Sequence, residues 1–367
     1  MSKIFVIDLE SVSTRYTGQW KRYVPELLKK EGHEVQVICG PVDIPSATTP
    51  GAFLNFGGTN IYKASQVEQL GRLFCDGSVN AGDHFLFTDA WHPGIINLKY
   101  MSELLGIPVV THGLWHAGSY DPHDFLGRLV GNKPWVRHAE KSFFSCFNHN
   151  YFATEFHVKM FFDNLIHNYP EENPWYEEDW AERYDDGKIV KTGWPMEYMA
   201  STLENYCKYP KRNLILFPHR IAPEKQVGIF RDLATHLPQY EFVVCQDQAL
   251  EKHEYHKLLG QAKIVFSASL QETLGIGCYE GALVDAIPMV PDRLSYSEMY
   301  YDMFKYPSEW TETCESYEIH RQDLCYRIIQ YMNNHDQYKY HVRKQAADLT
   351  ENFFSAKELL KNVAATK

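Results

Sequence analysis

Four side chains define the chemistry this chain offers. Glu272 and Glu280 stand eight positions apart, and Arg220 and Lys225 stand five apart about fifty positions upstream. The glutamates flank the stretch Phe266-Ser267-Ala268-Ser269-Leu270-Gln271-Glu272-Thr273-Leu274-Gly275-Ile276-Gly277. Lys263–Phe266 has the composition of a short apolar strand, and Gly281–Val284 that of an apolar helical run. A strand that opens through a glycine-bearing loop onto a helix start presents backbone N–H groups without partners inside the helix. The helix dipole favours an anion there. A positive backbone end with two flanking carboxylates suits a phosphate-bearing ligand that also has hydroxyls to hold, and a nucleotide sugar is such a ligand. Strand–glycine loop–helix units occur in most α/β proteins, so this stretch alone does not decide the matter.

Arg220 and Lys225 add independent weight. They follow the apolar run Asn213–Phe217 in the segment Pro218-His219-Arg220-Ile221-Ala222-Pro223-Glu224-Lys225-Gln226. Two cations at a strand end facing a helix start form a diphosphate clamp. The arginine binds a phosphate through two N–H groups and the lysine binds as a point charge. A lone pair of this kind is ordinarily two solvated surface charges, so the two motifs carry weight only together.

The elements that must position these groups alternate between strand and helix. Strands are expected at Ile4–Asp8, Val35–Cys39, His84–Thr88 and Ile107–Thr111. Helices are expected at Gly18–Lys30, where Trp20, Tyr23, Val24, Leu27 and Leu28 recur at helical spacing, and at Ile95–Leu105. Leu9–Thr17 is a polar loop. The second half begins again with a strand at Asn213–Phe217, a helix at Gln226–Leu237, a strand at Glu241–Cys245 and a helix at Glu254–Gln261. The strand at Ile264, a helix from Gly275 and a strand at Met289-Val290 follow. This rhythm predicts doubly wound parallel sheets, which bind ligands at the carboxyl ends of their strands. In the first half those ends carry Asp8, Thr88-Asp89 and Thr111-His112. Residues 113–187 read as irregular and aromatic, with an acidic excursion at Tyr169–Asp186, and Lys188–Lys191 as a last strand.

A chain of 367 residues suggests two domains. The expected boundaries are an N-terminal Rossmann-like domain over 1–195, a linker over 196–212, a C-terminal Rossmann-like domain over 213–345, and a helix over 346–367 packing back on the first domain. A formal net charge of −11 argues against broad non-specific binding to nucleic acid or anionic membrane. No apolar run reaches the roughly 20 residues of a membrane span, and the N-terminus lacks the features of a signal segment. The eight cysteines include no C-x-x-C pair and read as reduced core residues of a cytoplasmic protein. No Asp-x-Asp motif is present, and His112, His116 and His123 match no common zinc spacing, so no metal and no cofactor beyond the co-substrate is expected.

Together the motifs resemble the retaining glycosyltransferases of family 4, which have the GT-B architecture of two Rossmann-like domains facing across a cleft. Arg-x4-Lys precedes Phe-Ser-x-Ser-x-x-Glu-Thr-x-Gly with its Glu-x7-Glu, as in that family. Gly18, Gly32-His33-Glu34-Val35, Thr111-His112, Gly193 and Glu298 also fit. Departures are Gly281 after Glu280, Asp285-Ala286 before Ile287-Pro288, and Cys245-Gln246 where the family commonly has glycine. The resemblance implies an enzyme, a hexosyl- or pentosyltransferase, taking its sugar from a nucleoside diphosphate donor, commonly a UDP-sugar, with retention of configuration. It implies that Arg220 and Lys225 bind the donor diphosphate. Glu272 holds the sugar hydroxyls beside the N–H groups of Thr273, Leu274 and Gly275, and Glu280 holds the ribose. Gly18 lets the first domain's loop approach the phosphates, and His112 contacts the donor sugar, with Trp115, His116 and His123 able to share or take over that role.

For the acceptor, Trp91, His92, Trp115, His116 and Tyr120 are the candidates, because an exposed ring stacks on sugars or bases. The segments Trp115–Asp121 and Phe152–His157 resemble glycosyltransferases of tailed phages, some of which modify 5-hydroxymethylated pyrimidines in DNA in the host cytoplasm. That chemistry needs a flipped base, with Lys133, Arg137, Lys141 and Lys159 as phosphate contacts. Two other readings stand beside it. One is a cell-surface polysaccharide or lipopolysaccharide transferase docking on membrane through Gln19–Lys30. The other is a non-catalytic nucleotide-sugar-binding protein.

Overall fold

The computed structural model describes residues 2–10, 16–45, 47, 54–166 and 187–364. The chain divides into two compact units. Unit 1 comprises Met1–Ala153, His157–Pro195 and Ala356–Lys367, and unit 2 comprises Thr154–Phe156 and Met196–Ser355.

Unit 1 is built on six parallel strands in the order β2-β1-β3-β4-β5-β6. These are β1 (Lys3–Ile7), β2 (Glu34–Ile38), β3 (His84–Phe87), β4 (Val110–Leu114), β5 (His149–Phe152) and β6 (Ile189–Lys191). Phe85, Leu86 and Phe87 are all buried, so both faces of β3 are covered, as parallel sheets require. Helices α1 (Tyr16–Lys30), α2 (Phe56–Cys75) and α3 (Gly94–Leu105) cover the sheet. The loop expected over Leu9–Thr17 ends earlier, because α1 begins at Tyr16; residues 11–15 lie outside the described residues.

α2 has no counterpart among the expected elements. Its start is capped by the Asn55 side chain, which accepts from Gly58 N at 2.8 Å. Tyr62, Gln66, Leu70 and Phe74 recur every fourth residue and are buried. Gln66 donates to both Asp8 O and Ile38 O, tying α2 to the carboxyl ends of β1 and β2.

β4 lies three residues later than the expected Ile107–Thr111. Gly106 adopts a left-handed conformation (φ 67°) that closes α3, and Ile107 N returns to Ser102 O. Pro108 has no N–H for a sheet ladder, so the strand starts beyond it. The shift moves His112 from a strand end to mid-strand.

The aromatic segment after β4 is ordered, not irregular. It holds α4 (Phe125–Val130), α5 (Pro134–Cys146), β5 and α6 (Glu155–Phe161). Phe143, Phe144, Phe147, Phe152, Phe161 and Phe162 pack into the core of unit 1. The acidic excursion Tyr169–Asp186 lies outside the described residues.

Unit 2 has five parallel strands in the order β11-β10-β9-β7-β8. They are β7 (Leu214–Phe217), β8 (Glu241–Val244), β9 (Ile264–Phe266), β10 (Ile287–Pro291) and β11 (Lys305–Tyr306). The segment read as a linker contains α7 (Tyr198–Leu203). Helices α8 (Val227–His236), α9 (Lys252–Gln261), α10 (Ile276–Leu283) and α11 (Tyr296–Met299) follow. The long helix α12 (Cys314–Asn352) is bent at Asn334 (φ −114°, ψ 18°) and buries Leu324, Ile328, Met332 and Val342 in the core of unit 2. The helix expected over 346–367 is therefore the end of α12 followed by a separate α13 (Lys357–Ala364), which belongs to unit 1. Of the eight cysteines only Cys245 and Cys278 are buried; Cys39, Cys75, Cys207 and Cys314 are exposed. Among the described residues no helix is long and apolar enough to cross a membrane.

Candidate functional site

The four motif residues of unit 2 converge on the carboxyl ends of β7 and β9. The chain leaves β7 through Pro218-His219-Arg220, makes a short 3-10 turn at Pro223–Lys225, and enters α8 through Gln226, whose φ of 53° is left-handed. It leaves β9 through the loop Ser267–Gly275 and enters α10. The two loops are joined directly. Leu270 N donates to Glu224 O at 2.7 Å, and the Gln226 amide donates to Ala268 O at 2.7 Å. Arg293 holds the β9 loop, donating to Ser269 O and Ala268 O at 2.8 Å each, and ties it to Ser308 O, also at 2.8 Å. Gly275 starts α10 with φ 65°, and a Cβ there would lie 2.5 Å from the Tyr296 ring. A Cβ on Gly277 would meet Pro218 at 2.7 Å, so the first turn of α10 is pressed against the β7 loop. These contacts make the loop a fixed platform at a helix N-terminus.

The charges on this platform are paired. Lys225 is buried, and its ammonium reaches Gln271 O, Gln271 Oε1 (3.3 Å) and Glu272 Oε2 (3.2 Å). Burial alone would lift the Glu272 carboxyl. The Lys225 ammonium, then His219 and the Gly275 backbone N–H, outweigh it and hold the carboxyl at about 2. Arg220 is two-thirds buried and pairs with the buried Glu224, its Nε 3.0 Å from Oε1. That contact fixes the guanidinium on the same turn that carries Lys225. His219, between Pro218 and Arg220, is buried, and burial and then Lys225 push its imidazole down to about 4.

Glu280 sits one turn into α10 and is buried. Its Oε2 accepts from the Tyr255 hydroxyl of α9 at 2.6 Å. Burial raises its carboxyl, opposed by the Lys252 ammonium and by the Tyr255 hydrogen bond. Thr273, Leu274 and Gly275 line the start of α10, and Thr273 N donates to the Glu272 carboxylate at 3.2 Å. The arrangement offers two cations, a helix N-terminus and two carboxylates at the end of one sheet.

In unit 1 the expected residues fare differently. His112 is inside the sheet and fully buried. Its Nε2 lies 2.9 Å from His84 Nδ1, and its Nδ1 lies 2.8 Å from the Tyr151 hydroxyl. With both nitrogens taken by neighbours it has none to offer a ligand. His116 occupies the place past the end of β4. It is half-buried, bonded to Thr88 O (2.6 Å) and the Tyr16 hydroxyl (2.7 Å), and packed on Trp20 and Trp194. Gly18 lies within the first turn of α1, not ahead of it.

The acceptor candidates are largely core. His92, Trp115 and Tyr120 are buried and bonded to Gln66, Asn150 and His157 respectively. Trp91 is partly buried and donates to Glu140 at 2.9 Å. The exposed stacking rings expected of this segment are therefore replaced by packed ones. The phosphate candidates Lys133 and Lys159 are exposed, whereas Arg137 is tied to Gly131 O at 2.9 Å.

No family model matches the sequence, and no curated protein matches it; solved structures do. The catalytic domain of Arabidopsis thaliana starch synthase IV, bound to ADP and acarbose, aligns over 100% of this chain and 98% of its own at a TM-score of 0.59 and 10% identity. HepE of Anabaena in complex with UDP and glucose aligns over 100% and 99% at 0.54 and 11%. A UDP-forming α,α-trehalose-phosphate synthase from Burkholderia xenovorans aligns over 100% and 98% at 0.54 and 10%. The chain has the GT-B fold.

Within this GT-B chain several residues at the platform escape sequence reasoning. Tyr255, Gln271 and Arg293 act on the motif residues, but each is a lone polar residue in an ordinary segment. In unit 1, Glu140 is a buried carboxylate on α5 that accepts from Ser119 N and Oγ (2.6 Å each) and from Trp91. It joins the loops that follow β3 and β4. Between Ala139 and Lys141 it looks like one more solvated helix charge, and nothing in its neighbours marks it.

Proposed function

We propose that this chain is a glycosyltransferase that moves a sugar from a nucleoside diphosphate donor, a UDP-sugar in the first instance, to a hydroxyl acceptor. The observation that carries the reading is the Lys225–Glu272 pair beside Arg220 and the α10 N-terminus. It puts a cation for a diphosphate next to a carboxylate for sugar hydroxyls. That HepE was solved with UDP and glucose supports a nucleotide sugar as the ligand of this fold.

In this mechanism the bond between the anomeric carbon and the diphosphate oxygen breaks, and a bond to the acceptor oxygen forms on the same face. The acceptor's proton passes to the departing diphosphate. Arg220, Lys225 and the α10 N–H groups stabilise the charge that grows on the leaving group, while the sugar approaches an oxocarbenium ion. Glu272 orients the sugar and Glu280 the ribose. Retention of configuration rests on the resemblance to family 4, as does unit 1 as carrier of the acceptor, with His116 in the role first given to His112. A 5-hydroxymethylated pyrimidine as acceptor also rests on resemblance alone, since Trp115 and Tyr120 are packed in the core.

The test is release of nucleoside diphosphate from UDP-glucose and ADP-glucose, alone and with DNA containing 5-hydroxymethylcytosine or a lipid-linked glycan. The expected result is release that Arg220→Ala lowers at least a hundredfold. Binding without release under every condition would favour the non-catalytic alternative, and absence of binding would refute the reading.

A further inference from the structure

Glu224 is a carboxylate set against a cation that the proposed function needs for an anion. Its side chain is 2% exposed, whereas that of Arg220 is 31% exposed. Nε and Nη2 of Arg220 both donate to one oxygen, Glu224 Oε1, with Nε at 3.0 Å. The backbone of Glu224 is held as well. Its carbonyl accepts from Leu270 N at 2.7 Å. It sits inside the 3-10 turn Pro223–Lys225, which Gln226 N closes on Pro223 O at 3.2 Å. Glu224 is thus a fixed, buried post, and Arg220 leans on it from the side that water reaches.

A carboxylate beside an arginine repels any anion that the arginine binds. Its placement calls for a compensating role, and the geometry of the pair supplies one. A guanidinium is a planar fork of five N–H groups. Nε and Nη2 form one edge of the fork, and Nη1 and Nη2 form the terminal edge. With the first edge set on Glu224, the plane of the fork is fixed and its terminal edge is turned away from the carboxylate. An arginine without such a post gives up the rotamer freedom of a long side chain when a ligand arrives. One already held has given it up on folding.

We propose that Glu224 is a positioning residue for the donor diphosphate: it holds Arg220 by the Nε–Nη2 edge so that the terminal edge meets phosphate oxygens two at a time. The inference rests on the reading of Arg220 as a diphosphate ligand. Glu224 itself touches no part of the donor on this reading. Charge and position then act in opposite directions. If the carboxylate only offset the charge of Arg220, removing it would tighten nucleotide binding. If it positions the fork, removing it loosens binding in spite of the gain in positive charge.

The experiment is calorimetric titration of the full chain and its variants with UDP and ADP, the tighter of the two serving as probe. Glu224→Ala removes the post and is expected to weaken Kd about tenfold. Glu224→Gln fills the same volume and keeps an acceptor oxygen for Nε, so its loss should be smaller, about threefold. It is also the variant to read if Glu224→Ala does not fold. Arg220→Lys replaces the fork by a point charge whose donors rotate freely. In that background Glu224→Ala and Glu224→Gln should each change Kd less than twofold. Tighter binding by both Glu224 variants would overturn the proposal, because the carboxylate would then act through charge alone. A loss as large with Arg220→Lys as without it would also overturn it, since Glu224 would then act through Lys225 or the fold. Unchanged binding would overturn it and leave the glycosyltransferase reading intact. Failure of the unsubstituted chain to bind either nucleotide would overturn both.

Discussion

Tyr255→Phe isolates a single hydroxyl at the platform. It removes the donor that lies 2.6 Å from Glu280 Oε2 and leaves the ring in place. Glu280 is 5% exposed, so water cannot replace the lost partner readily. A hydrogen bond to a charged group contributes about 1.5–3 kcal/mol. Its loss appears either as protonation of the carboxylate or as a carboxylate turned from its position. Either way nucleotide affinity at neutral pH should fall by up to that amount, about ten- to a hundredfold in Kd. The sign with pH follows from the same contact. Glu280 must be ionised to accept from ribose hydroxyls, so affinity is lost as pH falls through its folded pKa. Burial already raises that pKa, and Tyr255 is one of the groups that oppose the rise. In the variant the loss should therefore begin at higher pH. Titration of UDP and ADP at pH 8, 7 and 6 checks both parts. A variant that binds as the unsubstituted chain does would refute the ribose assignment. A weakening identical at all three pH values would refute the argument that Tyr255 keeps Glu280 ionised.

Two further expectations concern the fold. Gly275→Ala places a side chain at φ 65° and a Cβ 2.5 Å from Tyr296; it should destabilise the chain by about 1–3 kcal/mol, read as a lower urea midpoint, and an unchanged midpoint would mean the helix start is not so fixed. The buried histidines should make the chain acid-sensitive. Burial lowers His84, His219 and His256 to about 4 and His157 to about 3. Between pH 6.5 and those values the unfolded chain binds protons that the folded chain refuses, so stability is full above 6.5 and falls as pH drops. Each contributes up to about 1.4 kcal/mol per pH unit. Urea midpoints at pH 7.5 and 5 should differ accordingly, and coincident midpoints would show that these rings are not buried in solution.

The platform was legible because its parts are local: an apolar run, glycines at Gly275 and Gly277, and charges at fixed spacing. Between Leu214 and Pro291 unit 2 follows that pattern within a few residues at each expected element, whereas α7 and β11 had no expected counterpart. What failed depended on distant partners. β4 was displaced because Gly106 and Pro108 decide where a strand can begin, and three residues turned His112 from a site residue into a core one. α2 went unread although Tyr62, Gln66, Leu70 and Phe74 recur at helical spacing, because its buried face includes a glutamine whose role is to bond Asp8 and Ile38. The aromatic loops looked like stacking surfaces because nothing local reveals that Glu140, Asn150 and His157 bond their polar edges.

The mutual pairing of Lys225 and Glu272 gives the platform a rule of admission. As folded, the buried Lys225 and the partly buried Glu272 cancel each other, so this pair projects little net field. An inorganic phosphate can take Lys225 only by stranding Glu272, and a free sugar can take Glu272 only by stranding Lys225. Stranding Lys225 leaves a buried ammonium with only the Gln271 oxygens, and stranding Glu272 leaves a partly buried carboxylate without its cation. A molecule that carries an anion and hydroxyls a few bonds apart replaces both partners in one event. On the proposed function, selection between whole donors and their fragments would then be set by an exchange of partners, ahead of any reading of the sugar or the base.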